Sequence, residues 1–564
     1  MIRTNTSLAE AFESTAQQNL HKEAVVYGDV RLTYGELARQ VDALAYGLAK
    51  LGVKKGDRVG LLLHNCPEYV VAFFALAKIG AVSVLLNPQL RRRQLELILR
   101  ECEPVGVIMS GGTSTGESMA GVRDAQAALP GFRHLIVVDG GAEAGLRFDT
   151  LMEEAPPPSY SPPTVAPEDL AAFIYTSGTT GTPKGAMHSH RGLITPVVAS
   201  LRLREMWIKI PSPKMAARMV RVLARYGTRL LQSVGRQQTM LSPMGMHAIG
   251  GLEVTLQSLL MGDRLVLMPR FNPLEMMELV QKERVSIVIA APMTYTVLLR
   301  LKDIDRYNTS SLLICAVGTA PCPPELARQI HEQFGCAVHI GFGTTELAGG
   351  VSATSIEDSD QRQAETVGQP MPGMEIKIVD EEGHGVPAGE VGEMVCRGES
   401  VMLGYYRAPE ATAEVVDREG WYHTGDLAVM DDKGYLRVVG RKKDMIIRGG
   451  QNIYPVEIER YLQAHEGISE AAVVGVPATI GGEEVWAYLV VEPDSQMTNE
   501  EVLEYCRKGL GAYQIPHQVR FVADLPRSSM GKPQKFVLRE TAQQERRPET
   551  STGTAAPART GSIG

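Results

Sequence analysis

The chain has 564 residues, 44% hydrophobic and 22% charged, with a net charge of -8. That length allows more than one core, and the acidic balance argues against nucleic acid as the main partner. Seven cysteines lie scattered without a C-x-x-C pair or zinc-type His/Cys spacing, so neither a disulfide framework nor a structural metal is expected.

The opening residues, MIRTNTSLAEAF, lack the apolar segment of a signal peptide, and a reducing cytoplasm is the expected address. LTYGELARQVDALAYGLAKLG reads as an amphipathic helix closed by Gly52, and DRVGLLL as the strand after it. Val70–Leu86 is the most apolar stretch, but Lys78 and Gly80 interrupt it. A buried helix turning into a strand fits better than a membrane span. ALAKIGAVSVLLN, ERVSIVIAAP and SSLLICAVG repeat the alternation, which predicts a mostly parallel sheet covered by helices. From GEVGEMVCRG to GYLRVVG the pattern changes to short strands with glycine turns, a small β subdomain. GISEAAVVGVP, VWAYLVVE and TNEEVLEYCRKGL then suggest a compact α+β unit, and ERRPETSTGTAAPARTGSIG reads as a disordered tail.

IYTSGTTGTPKGAMHSH (Ile174–His190) concentrates small hydroxyl and glycine residues around Lys184 just behind an apolar run. A Walker A loop requires G-x-x-x-x-G-K-[ST]; five places after Gly178 stands Pro183, and Gly185 follows Lys184, so that reading fails. The composition still suits a polyphosphate, since glycines admit an anion to the backbone and hydroxyls, N–H groups and Lys184 meet its charge. A surface loop would have the same composition.

Four further stretches decide between these: GFGTTE (Gly341–Glu346), the run from Tyr422 to Glu459 containing YHTGDL and GRKKDMIIRGGQN, LPRSSMGKPQK with Lys532, and PMGMHAIGG with His247. In this order and spacing the segments resemble the adenylate-forming superfamily of acyl-CoA synthetases, peptide-synthetase adenylation domains and luciferases, from about Leu8 to Glu540.

The resemblance implies an α/β fold. A large N-terminal AMP-binding domain (1–442) would hold layered, mostly parallel β-sheets with helices and a small β subdomain. A small mobile α+β domain (443–542) and a tail (543–564) would follow. It implies ATP-dependent activation of a carboxylic acid to acyl-AMP with loss of pyrophosphate, then transfer to CoA, with Mg2+ assisting. Thr176, Ser177, Gly178, Thr179, Thr180, Gly181 and Lys184 would hold the phosphates, and Glu346 the Mg2+. Phe342 with Gly341, Gly343, Thr344 and Thr345 would face adenine across from Gly318, Thr319 and Ala320. Asp426 would bind the ribose, Arg441 the ribose or phosphates, and Lys532 would orient the carboxylate and α-phosphate. Lys443 falls at the hinge, and Gly449 and Gly450 would line the pantetheine path in the thioester-forming pose.

Amino-acid-activating relatives carry an Asp near the first pocket motif, whereas LSPMGMHAIGGLEV contains His247 and no Asp, so an amino acid is not the expected substrate. His247, Gly250, Gly251, Gly341 and Gly343 would border the acyl pocket with Met244 and Met246 as an adaptable lining, which favours a medium or long aliphatic acid over a small one. An aryl or alicyclic acid, and a carrier protein in place of CoA, stay open, as does a homodimer. The chain departs from the family between His190 and His247, where Arg202–Arg236 holds nine Lys or Arg against Glu205 alone. Lys214, Arg218, Arg221, Arg225 and Arg229 share one helical face. Such a helix, 214–229, would dock on anionic lipid or would pack its apolar face on the domain with its basic face solvated.

Overall fold

The computed structural model describes residues 3–111, 116–139, 145–176, 183–206, 220, 222, 226, 235–448, 451–478, 482–492, 495–527 and 533–546. The chain divides into two compact units, Met1–Val438 and Val439–Gly564.

In the first unit, helices begin where the sequence supplies caps. Ser7 and Glu10 close a capping box on Leu8–Gln18, and Thr33 and Glu36 do the same for Tyr34–Lys50. The apolar stretch resolves into the helix Pro67–Lys78 and the strand Val82–Leu85, as the Lys78 and Gly80 interruptions predict. Phe12 stacks on Phe74 at 4.5 Å between ring centroids. These rings and Phe73 are buried, each contributing roughly 1.5–3 kcal/mol.

Two sheets flank this helical core. A nine-stranded sheet runs Gln369–Pro370, Gly349–Ala353, Ala337–Thr344, Ile314–Val317, Ile287–Ala290, Thr239–Ser242, Arg264–Leu267, Glu23–Tyr27, Val30–Thr33. Its middle is parallel and its ends antiparallel. An eight-stranded sheet is parallel from Leu170–Thr176 outward, and turns antiparallel where that strand pairs with Lys184–Ser189. Glycine-turn strands form the expected small antiparallel sheet, in which Val391–Arg397 lies between Glu375–Val379 and Tyr422–Met430. The mostly parallel α/β architecture predicted from the helix–strand rhythm is therefore present, distributed over two large sheets.

The second unit is a three-stranded sheet, Ile468–Pro477, Glu483–Val491 and Gln518–Phe521, with a hairpin Ile446–Arg448/Gln451–Ile453 and the helices Pro455–Gln463, Asn499–Gly509 and Lys535–Arg546. The last helix runs to Arg546, four residues into the stretch expected to be tail.

Most of the basic segment, with Lys214, Arg218, Arg221, Arg225 and Arg229, lies outside the described residues. Of its described residues, Val222 and Tyr226 are buried against Ala337 and Ile314, and Tyr226 meets His331 edge-on at 5.8 Å. Two residues of the expected apolar face thus pack on the domain. Among the described residues no helix is long and apolar enough to cross a membrane.

Candidate active site

Thr176 ends one strand and pairs with Lys184 at the start of the next, so the hydroxyl- and glycine-rich stretch bridges two neighbouring strand ends. Ser177, Gly178, Thr179, Thr180 and Gly181 lie outside the described residues. Lys184 Nζ stands 5.2 Å from the ring centroid of Tyr405, within the range of a cation–π contact. The Tyr405 hydroxyl donates to Glu346 Oε1 at 2.9 Å. One tyrosine therefore links Lys184 to the carboxylate of GFGTTE. Burial and the adjoining Glu346 charge push the Tyr405 hydroxyl well above the usual phenol range, so it stays protonated and donates. Tyr422 is raised in the same way, first by burial and then by Glu346.

Glu346 sits in the short 3-10 turn Thr345–Leu347 that follows the strand Ala337–Thr344, and its carbonyl accepts the Met402 N–H at 2.7 Å. Gly341, Phe342, Gly343 and Thr344 lie on that strand, all half-buried. Gly343 is forced: a Cβ there would stand 2.1 Å from the Gly349 carbonyl oxygen. Phe342 leans on the cluster holding Leu347, Val351 and Met394, so its ring also serves the core of the small sheet.

Gly318, Thr319 and Ala320 leave the C-terminal end of the strand Ile314–Val317, where parallel sheets place their ligands. Thr319 adopts φ +70°, a conformation that costs a β-branched residue on the order of 1–2 kcal/mol. That strain marks the turn after the strand as structurally imposed. Gly250, at the start of the helix Ile249–Leu260, lies against Thr319 and Met244, with a Cβ built there only 3.5 Å and 3.0 Å from them. Gly251 admits no side chain, since its Cβ would stand 2.3 Å from the Gly245 oxygen.

His247 precedes this helix, and burial, with His64 nearby, lowers it to about 4. It is therefore neutral at physiological pH and can accept or donate one hydrogen bond without adding charge. Asp426 is buried on the strand Tyr422–Met430, where its N–H donates to Thr424 Oγ1 at 3.0 Å. In the second unit, Arg441 ends the strand Leu436–Arg441 and Lys443 lies in the turn Lys442–Asp444. Gly449, Gly450 and Lys532 lie outside the described residues.

Tyr405 and Tyr422 escaped the sequence reading, although YHTGDL opens on Tyr422 and Tyr405 stands in MLGYYR. Tyr405 stands between Gly404 and Tyr406 and Tyr422 between Trp421 and His423, neighbours that carry no periodic signal, so only the folded contact exposes them.

Burial also gives the first unit an acid-labile core. His188, His190 and His339 are each lowered to about 4, chiefly by desolvation. The unfolded chain would protonate them near 6.5. Their contribution is thus fully present above about 6.5 and is lost as pH falls toward 4, by roughly 2 kcal/mol for each at pH 5. Urea midpoints should drop markedly between pH 7.5 and 5; equal midpoints would show that these rings are not held neutral.

The AMP-binding enzyme model matches residues 12–406, and the AMP-binding enzyme C-terminal domain model matches residues 457–532. The chain belongs to the AMP-binding enzyme family. It is an adenylate-forming enzyme of the acyl-CoA synthetase type, as the paired motifs implied. Among AMP-binding enzymes it is 31% identical to the mitochondrial medium-chain acyl-CoA ligase ACSF2 of Homo sapiens over 559 residues, covering 95% of this chain and 87% of that protein. It is also 31% identical over 550 residues to a Rhodococcus jostii (strain RHA1) CoA ligase named for a methyl-dioxo-octahydroindenyl propanoyl group, covering 96% of this chain and 99% of that one. The crystal structure of the anthranilate CoA ligase AuaEII with anthranoyl-AMP superimposes with a TM-score of 0.83 at 25% identity, covering 96% of this chain and 98% of that chain.

Proposed function

We propose that this AMP-binding enzyme activates a medium-sized carboxylic acid with ATP, releasing pyrophosphate, and passes the acyl group to the thiol of CoA. The observation that carries the reading is the Lys184–Tyr405–Glu346 contact, which joins the phosphate-type stretch to the GFGTTE carboxylate.

Charge is the physical obstacle. A carboxylate must attack the α-phosphorus of a polyanion, so fixed cations and donors have to offset repulsion and stabilise departing pyrophosphate. Thr176–Lys184 would hold the β- and γ-phosphates. Gly318–Ala320 and Phe342 would enclose adenine, Asp426 would take the ribose hydroxyls and Arg441 the ribose or phosphates. Lys532 would draw the carboxylate and α-phosphate together, and neutral His247 would border the acid without repelling or trapping it.

Among the described residues no cluster of three or more His, Cys, Asp or Glu could cage a metal. Glu346 alone fits a Mg2+ that takes its remaining ligands from phosphate and water oxygens. Bound there, Mg2+ would supply positive charge to the phosphates. Rotation of the second unit about Lys443 would then exchange Lys532 for the IIRGGQN stretch, with Gly449 and Gly450 beside the pantetheine arm.

The name of ACSF2 supports a medium-chain acid, while the Rhodococcus ligase and AuaEII support alicyclic or aryl acids as the second reading. The test is ATP–pyrophosphate exchange over aliphatic, alicyclic and aromatic acids, repeated with CoA and mass detection of the thioester. Exchange with thioester establishes the CoA ligase. Exchange without it assigns the acyl group to a carrier protein instead.

A further inference from the structure

The helix Ile249–Leu260 carries a polar stripe that the adenylation chemistry does not use. Eight of its twelve residues are buried, from Gly251 to Leu260; besides Ile249 at its start, Gly250, Glu253 and Gln257 remain partly exposed. Spaced three and seven apart, these three share one face. It is the face that Gly250 turns toward Thr319 and Met244. Glu253 therefore stands one helical turn, about 5 Å, beyond one of the glycines expected to border the acyl pocket.

Its surroundings are incomplete for a carboxylate. The Gly350 N–H is shared between Oε1 and Oε2 at 3.2 Å each, and Gln257 Nε2 donates to Oε1 at 3.0 Å while also donating to Ser200 Oγ at 3.3 Å. An ionised carboxylate has about four acceptor positions, so this set leaves capacity unused. Among the described residues no Lys, Arg or His forms an ion pair with it, and burial raises the carboxyl to about 7. The backbone has made way for it: Gly349 holds φ +127°, and a Cβ there would meet Glu253 Oε2 at 2.5 Å. A leucine or methionine would suit a hydrocarbon tail at far lower cost, because an apolar chain laid on this face strips water from an acceptor and returns no hydrogen bond.

We propose that Glu253 is a specificity-determining residue that selects acids bearing a hydrogen-bond donor, such as a hydroxyl, on the acyl group. This rests on the acid-activating reading above and narrows it: chain size alone does not define the substrate. The donor on the acid gives its hydrogen to the free acceptor position of Glu253, with Gln257 holding the carboxylate in place. An acid lacking the donor leaves that position unpaired, a mismatch that polar sites penalise strongly.

The experiment compares matched acids, pentanoate with 5-hydroxypentanoate and benzoate with 3-hydroxybenzoate, in ATP–pyrophosphate exchange by the native chain, E253L and E253Q. The native chain should favour the hydroxylated member of at least one pair by about tenfold or more in kcat/KM. E253L should lose or reverse that preference, and E253Q should retain part of it, since its amide oxygen still accepts. The proposal is overturned if the native chain handles both members of both pairs equally, or if E253L leaves the ratio unchanged. Absence of exchange with every acid would instead overturn the activation reading. Calorimetric binding of the same four acids to native and E253L protein would then decide Glu253, equal affinities counting against it.

Discussion

Lys532→Ala should lower acid-dependent ATP–pyrophosphate exchange by about 10²–10³-fold, while CoA transfer from preformed acyl-adenylate changes only a few-fold. The two half-reactions need different charges. Adenylation brings a carboxylate to a phosphate and needs a cation between them, whereas thiol attack on a neutral acyl carbon does not. A lysine suits the first task because its charge rides on a long stem. The described residues on either side of it are anchored, so the substitution should act locally. Gln534 N–H donates to the Pro526 carbonyl at 2.7 Å, and Arg527 pairs in a bridge with Pro533. Lys535, just beyond, binds Glu459 at 2.7 Å. Equal loss in both half-reactions would point to damage of the second unit and sink the assignment. Lys532→Gln should behave like the alanine variant, which makes acylation of this lysine an effective way to silence the first step.

Glu346→Gln should raise the Mg2+ concentration needed for half-maximal exchange and lower the rate at saturating ATP by about a hundredfold. The amide keeps the size and can still accept the Tyr405 hydroxyl, so the 2.9 Å contact is retained in kind. Only the charge is lost, and a hard divalent ion binds a neutral amide oxygen much more weakly than a carboxylate. Tyr405→Phe should cost several-fold at most, because it frees the carboxylate without removing it. A normal Mg2+ dependence in Glu346→Gln would show that the ion is held elsewhere. Thermal unfolding of the three proteins separates the chemistry from folding, since neither replacement removes apolar volume from the core.

Local order was the legible part of this chain. Thr33 with Glu36, the apolar spacing to Leu48 and Gly52 beyond give the helix Tyr34–Lys50 its start, face and end without reference to anything distant. The division of the strands into two sheets was not legible. VSVL (Val82–Leu85) and IVIA (Ile287–Ala290) are both short apolar runs, yet one joins Leu170–Thr176 and the other Ile314–Val317. Strands buried on both faces have no alternation to reveal their neighbours. The site divided the same way. Glycines, hydroxyls and Lys184 announce themselves by clustering, whereas Glu253 and Gln257, four apart on a helix, read as an ordinary solvated pair. Only the glycine backbone at Gly349 and Gly350, almost a hundred positions away, shows what Glu253 packs against.

All seven cysteines carry free thiols, six of them buried and Cys66 half-buried with its thiol pushed far up by desolvation. Thiolate is the reactive form, so the native protein should be nearly inert to maleimide dyes. A single cysteine introduced on the exposed surface of each unit would then take up a donor and an acceptor fluorophore without first stripping the native thiols. Energy transfer between the two dyes, followed as ATP, acid and CoA are added in turn, would show whether the second unit moves relative to the first, on the unaltered core.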